Sequence, residues 1–178
     1  MTERLHFTGN DEADALIAQD PFALLVGFAL DQRVPVPKAF MGPYVLRERL
    51  GSLDPHVVAQ AELEPIFRQV PAIHRFPAMM AKQVHALAVH IVERWDGEAA
   101  RVWTSASSSD ELRANLEALP GFGKMKVKAL GSVLAKRFGV ELAEPLIPWH
   151  PTLGDVDSAA ALADYQASKR ANKALWEA

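Results

Sequence analysis

The chain has 178 residues, 49% of them hydrophobic and 23% charged, with a net charge of −3 and no cysteine. That length and composition suit one globular domain or two small lobes with a real core. Lacking cysteine, the chain can hold no disulfide, thiolate zinc site or iron–sulfur cluster, and its acidic balance argues against a sequence-blind coat on nucleic acid, so any such site must be local. Met1 to Asp20 is polar and acidic without an apolar core, which predicts no signal peptide. Pro21 to Leu30, the longest apolar run, covers about half a membrane span. The expectation is a cytoplasmic, nucleoid-associated protein with no membrane partner.

Strand-like alternation is nearly absent and proline and glycine punctuate helical periods, so the fold class is all-α. Asp20-Pro21 reads as an N-cap with proline at the first helical position. Phe22 to Leu30 is apolar on every side, the mark of a buried helix. It emerges into Asp31-Gln32-Arg33, a polar triplet that must face solvent or a cleft, before Val34-Pro35-Val36-Pro37 breaks it. Lys38 to Leu50 is expected as a helix interrupted at Gly42-Pro43 and ended by Gly51. Short helices follow from Asp54-Pro55 and over Glu62 to Val70. Pro77 opens the longest helix, with an apolar stripe of Met80, Val84, Leu87, Ala88, Ile91 and Trp95, and Gly97 stops it. His85 and His90 lie five apart on that helix, a spacing that does not stack two metal ligands on one face. No metal or other cofactor is expected.

After a short helix near Ala99 to Trp103 and a serine-rich loop, Ser108-x-x-Glu111 reads as a capping box. Leu112, Leu116 and Leu119 then share one helical face, and Pro120 ends it. Val127, Leu130, Leu134 and Phe138 form the stripe of a second helix that stops at Gly139. Between the two lies Leu119-Pro120-Gly121-Phe122-Gly123-Lys124. Glycines at 121 and 123 permit a sharp turn and close backbone approach by a partner. The amides of Gly121, Gly123 and Lys124 would then stand at a helix N-terminus, where free donors and the helix dipole favour an anion. Lys124, Lys126, Lys128, Lys136 and Arg137 fall between Glu117 and Glu141 with no acid among them, so the positive field is local to this turn. A phosphate is the fitting anion. Past Gly139 the chain turns Pro-rich, from Glu144 to Asp155, and closes with an Ala-rich helix from Asp157 onward.

The Leu-Pro-Gly-Phe-Gly turn resembles the hairpin of the helix-hairpin-helix (HhH-GPD) DNA glycosylases, the superfamily of endonuclease III, adenine-mismatch glycosylase and 3-methyladenine glycosylase. The order and spacing of helices from Asp20 to Gly139 is similar to their six-helix core. The resemblance covers about two thirds of the chain and implies a core over residues 20–139, with its hairpin at 119–124. Residues 1–19 and 140–178 would form a small second helical lobe. The implied partner is double-stranded DNA carrying a damaged or modified base, bound by a monomer.

Such an enzyme flips the base into a pocket and breaks the bond between the base and C1′ of the sugar. Positive charge builds on the sugar as the base departs, and a carboxylate near C1′ stabilises it. By the resemblance, Gly121, Phe122, Gly123, Lys124 and Lys126 contact DNA, and Gln32 is the wedge that fills the gap left by the flipped base. Met125 occupies the position where strand-cleaving members carry a Schiff-base lysine, which implies a monofunctional enzyme that uses water. Met125, Trp149 and His150 suggest the lining of the base pocket. The carboxylate is expected in the segment after the hairpin: Asp155 first, then Asp157, then Glu144, which is closer to the family's register but of the wrong residue type. The alternative is a non-catalytic DNA-binding relative that keeps the hairpin alone.

Overall fold

The computed structural model describes residues 2–177 and consists of helices and their connections, an all-α fold whose helices gather in distinct clusters. The order is α1 (Asp11–Gln19), α2 (Pro21–Leu30), α3 (Val36–Leu50), α4 (Pro55–Gln60), α5 (Leu63–Arg68), α6 (Pro77–Trp95), α7 (Arg101–Thr104), α8 (Ser109–Glu117), α9 (Lys124–Phe138) and α10 (Ala159–Glu177). Two single-turn 3-10 helices, Glu141–Leu146 and Leu153–Asp155, fill the connection between α9 and α10. None of the helices is by itself long and apolar enough to cross a membrane.

The centre of the molecule is α2. Asp20 caps it by accepting from the amides of Phe22 and Ala23, and from Phe22 to Leu30 every residue is buried. Helices α1, α3 and α6 pack around it, because a segment without a polar face has to be enclosed on all sides. Phe40 of α3 sits edge-on to both Phe28 and Phe7, at 5.1 and 4.9 Å between ring centroids. Leu5 and Phe7 are fully buried. The N-terminal segment, polar and acidic on average, therefore threads two apolar anchors into the core and adds a helix, α1, that composition alone conceals. Asn10 caps α1 by accepting from Ala13.

The interruption expected at Gly42-Pro43 does not occur. Helix α3 runs through both residues, although Pro43 removes one intrahelical hydrogen bond. A Cβ on Gly42 would stand 2.2 Å from Leu30 Cδ1, so glycine here lets α3 press against the end of α2. The packing gained along that contact offsets the missing bond. Gly51 and Gly139 end α3 and α9 in the left-handed conformation, as their positions predict.

Helices α8 and α9 form a hairpin against which the C-terminal segment lies: the first 3-10 turn packs on both helices, the second on α9, and α10 on the second turn. The N-terminal segment packs instead on α2 and α3. Gly154 fixes the seat of the second turn, since a Cβ there would meet the Ser132 carbonyl oxygen at 2.7 Å, a backbone atom that cannot step aside. Gly154→Ala should therefore lower the unfolding free energy by about 1–3 kcal/mol in denaturant titration, whereas Gly51→Ala should show only the backbone penalty of its left-handed conformation.

Candidate functional site

At the α8–α9 turn the two glycines have different tasks. Gly121 has φ of +78°, so the backbone favours glycine, and a Cβ would land 1.5 Å from Gln83 Nε2 on α6, whose side chain would have to move aside. Gly123 has φ of −80°, and nothing lies within 4 Å of where its Cβ would stand. The protein itself makes no demand for glycine there; the bare backbone faces outward. Phe122, expected among the DNA contacts, is only 5% exposed. As the one large apolar residue of the turn it gains most by burial, so its side chain is an internal anchor and not a surface contact. No side chain caps α9, and the first amide with an intrachain acceptor is that of Val127, which donates to the Gly123 carbonyl at 3.0 Å. The amides ahead of it stand free at an exposed helix start.

This turn borders a cleft of about 940 Å³. One wall is Gly121, Gly123, Lys124, Met125 and Lys126; the next is the bend Asp31-Gln32-Arg33 after α2; the loop from His150 to Leu153 and the Tyr165, Lys169, Lys173 and Trp176 stripe of α10 close it. Six lysines and arginines line it against two carboxylates, Asp31 and Glu177, in a chain that is net acidic. The hollow is thus a focus of positive potential.

His74, buried in the core, holds the bend. Its Nδ1 accepts from the Phe76 amide at 3.0 Å, so Nε2 carries the proton and donates to the carbonyls of Leu30 and Gln32, at 3.1 and 3.2 Å. Arg33 follows in the left-handed region, φ +59°, a conformation that costs about 1 kcal/mol or more in a non-glycine residue. Gln32, the expected wedge, lines the cleft but turns its amide back to donate to the Ala29 carbonyl at 3.1 Å. Lys126 Nζ donates to the same carbonyl at 3.3 Å and lies 5.4 Å from the Phe122 ring centre. Burial pulls Lys126 down to about 8, against the opposing charge of Asp31.

Asp31 is the residue that sequence reasoning passed over. It is sunk in the cleft wall, and burial raises its pKa above the ordinary 3.8, with Lys169 and Lys126 pulling it partly back. No hydrogen bond to its carboxylate comes from the described residues. Tyr165 stands close enough that burial and then the charge of Asp31 push its hydroxyl well up.

The three acids expected after the hairpin sit elsewhere, and none of them lines the cleft. Asp155 closes a capping box with Thr152 and pairs with Lys136; burial works to raise its pKa, but Lys136 and the Thr152 amide hold it below the usual value. Asp157 is exposed, and Ser158, not an aspartate, accepts from the first turn of α10 at Ala161. Glu144 is exposed on the first 3-10 turn. The expected pocket lining also divides. Met125 and His150 line the cleft, with His150 stacked on Trp176 at 5.1 Å and 5°, while Trp149 is 73% exposed and outside it.

Two signals could have found the missed wall. A polar triplet leaving an all-apolar helix marks Asp31, and Tyr165, Lys169, Lys173 and Trp176 recur at helical spacing along one stripe of α10. Among the described residues no cluster of His, Asp or Glu could hold a metal. No family model, no curated protein and no solved structure matches the chain.

Two measurements probe the electrostatics of the site. Lys126 releases its proton near pH 8 when folded and near 10.5 when unfolded, so its charge costs stability at pH 7 and that cost fades as pH rises through this window. Lys126→Met should raise the unfolding free energy at pH 7 by about 1 kcal/mol, after the Ala29 hydrogen bond is lost, with the gap closing by pH 10. For His74, burial lowers the pKa below 6.5, with the Leu30 and Gln32 carbonyls opposing. The unfolded chain takes up that proton first, so stability falls as pH drops below about 6.5. His74→Gln should lose less stability than the parent between pH 7 and 5.

Proposed function

We propose that the protein is a DNA-binding, monofunctional base glycosylase of the helix-hairpin-helix kind. On this reading the helices from α2 to α9 act as the core, the α8–α9 turn grips a phosphate of duplex DNA, and the neighbouring cleft receives a damaged or modified base flipped out of the stack. The observation that carries it is the adjacency of free amides at the start of α9 to a hollow large enough for a nucleotide, with six cations against two carboxylates in its lining. Amides and lysines suit a phosphodiester track, and the aromatic pair His150–Trp176 offers a base a flat neighbour. Met125 at the turn favours water over a lysine amine as the attacking group. A second reading, a binding module without catalysis, is favoured by one observation: none of Glu144, Asp155 and Asp157 lines the cleft.

Duplexes carrying alkylated, deaminated and oxidised bases, incubated with the protein and then treated with alkali, separate the two. The glycosylase reading expects alkali-labile abasic sites on at least one duplex; their absence throughout leaves binding alone. Lys124→Ala should weaken duplex affinity several-fold for every sequence and reduce the slope of log affinity against log salt by about 1. Gly123→Val, which meets no atom of the protein itself, should leave the melting temperature nearly unchanged while abolishing duplex retention. A protein that holds no duplex at low salt would end both readings.

A further inference from the structure

We propose that Asp31, at the end of α2, is the carboxylate that faces the sugar in this cleft, and so the catalytic acid–base residue. The inference rests on the glycosylase reading and names the group that reading needs. Three observations support it. Asp31 lines the cleft beside Gln32 and close to Lys126 in the first turn of α9, so a nucleotide gripped by the turn and extruded into the cleft comes against it. Its half-buried carboxylate takes no hydrogen bond from the described residues, while no acid of the later loop lines the cleft: Asp155 is spent on capping and ion pairing, and Asp157 and Glu144 are exposed. Finally, its position is enforced: His74 ties the carbonyls on either side of it, Leu30 and Gln32, to one imidazole.

A half-buried carboxylate that takes no hydrogen bond from the described residues, and is offset only by the nearby charges of Lys169 and Lys126, costs folding free energy, the pattern of a group kept for a ligand. The ligand has to bring positive charge. As the C1′–N bond breaks, its electron pair leaves with the base and the sugar becomes cationic; Asp31 stabilises that cation. A water oxygen then bonds to C1′ and Asp31 takes one proton from that water; Asp31 releases that proton to solvent and the departing base takes one from solvent, so that base and sugar together gain one water and Asp31 is restored. Lys126 and Lys169 act as positioning residues that keep Asp31 ionised.

The test does not require knowing the base. Affinity is measured for two duplexes that differ at one site: an uncharged tetrahydrofuran abasic analogue, and a pyrrolidine analogue whose ring nitrogen is cationic. The parent protein should prefer the pyrrolidine duplex at least tenfold, and Asp31→Asn should erase the preference while keeping the tetrahydrofuran affinity within about threefold. Asp31→Asn should melt no lower than the parent, since a buried charge is removed, which excludes misfolding as the cause. Asp155→Asn, Asp157→Asn and Glu144→Gln should keep the preference. If Asp31→Asn retains it and one of these loses it, Asp31 is overturned and the glycosylase reading stands. If the parent binds both duplexes equally, no carboxylate faces the sugar and Asp31 is overturned while duplex binding survives. No affinity for either duplex overturns both.

Discussion

Helix α2 has to be enclosed on every side, and its C-terminal carbonyls go into the interior with it. Buried carbonyls need donors, and the last ones of α2 find them in the amides and the Gln32 side chain of the following bend and in side chains drawn from far along the chain. Ala29 receives Gln32 and Lys126, Leu30 receives His74, and His74 also reaches past the bend to Gln32. The cleft is a consequence. Satisfying these carbonyls brings α9, the 74–76 segment and the 31–33 bend to one point, and leaves the carboxylate of Asp31 without a hydrogen bond from the described residues, answered only by the charges of Lys169 and Lys126.

This arrangement sets a conflict between stability and electrostatics. A lysine brought down to about 8 and an aspartate raised above its usual value line one cleft, and burial works against the charged form of each. Apolar replacements would pack more comfortably. Keeping two charged groups where they are costly is typical of sites that act on ligands, where stability is given up for function. Arg33 in the left-handed region adds strain at the same bend. By contrast, the acids of the 144–157 segment sit in low-energy roles, as cap, ion pair or solvated surface, as structural residues do.

Local rules carried the reading of the helices far and the reading of the site only halfway. Asp20, Gly51, Ser108 and Gly139 act as the punctuation they spell, because a cap depends on a few neighbouring residues. Gly42-Pro43 misled because tertiary packing against Leu30 overrides a local breaker, and α1 was hidden because Leu5 and Phe7 lie outside the periodic segment they anchor. The turn at 121–124 was legible from two glycines and a run of lysines. Which carboxylate faces it was not: Asp31 and Lys126 are far apart in sequence, and only the folded path of α2 makes them neighbours. Among the loop acids Glu144 came near the family's spacing and the two aspartates matched only its residue type, and neither reveals that Thr152 and Lys136 already occupy Asp155.

The far wall of the cleft depends on a single helix. Helix α10 meets the rest of the protein through the Leu153–Asp155 turn and through stacked rings, His150 on Trp176 and Tyr165 on Trp176, while Lys169 and Lys173 on the same stripe face the hollow. A wall seated by Gly154 against Ser132 at one end and by an aromatic stack at the other has a width set by those two contacts. Because the rings that hold the helix also line the hollow, a planar guest that stacks on His150 competes with Trp176 for the same face. The seat of α10 and the width of the cleft are therefore set by the same contacts, and the cations of its inner stripe are positioned by them.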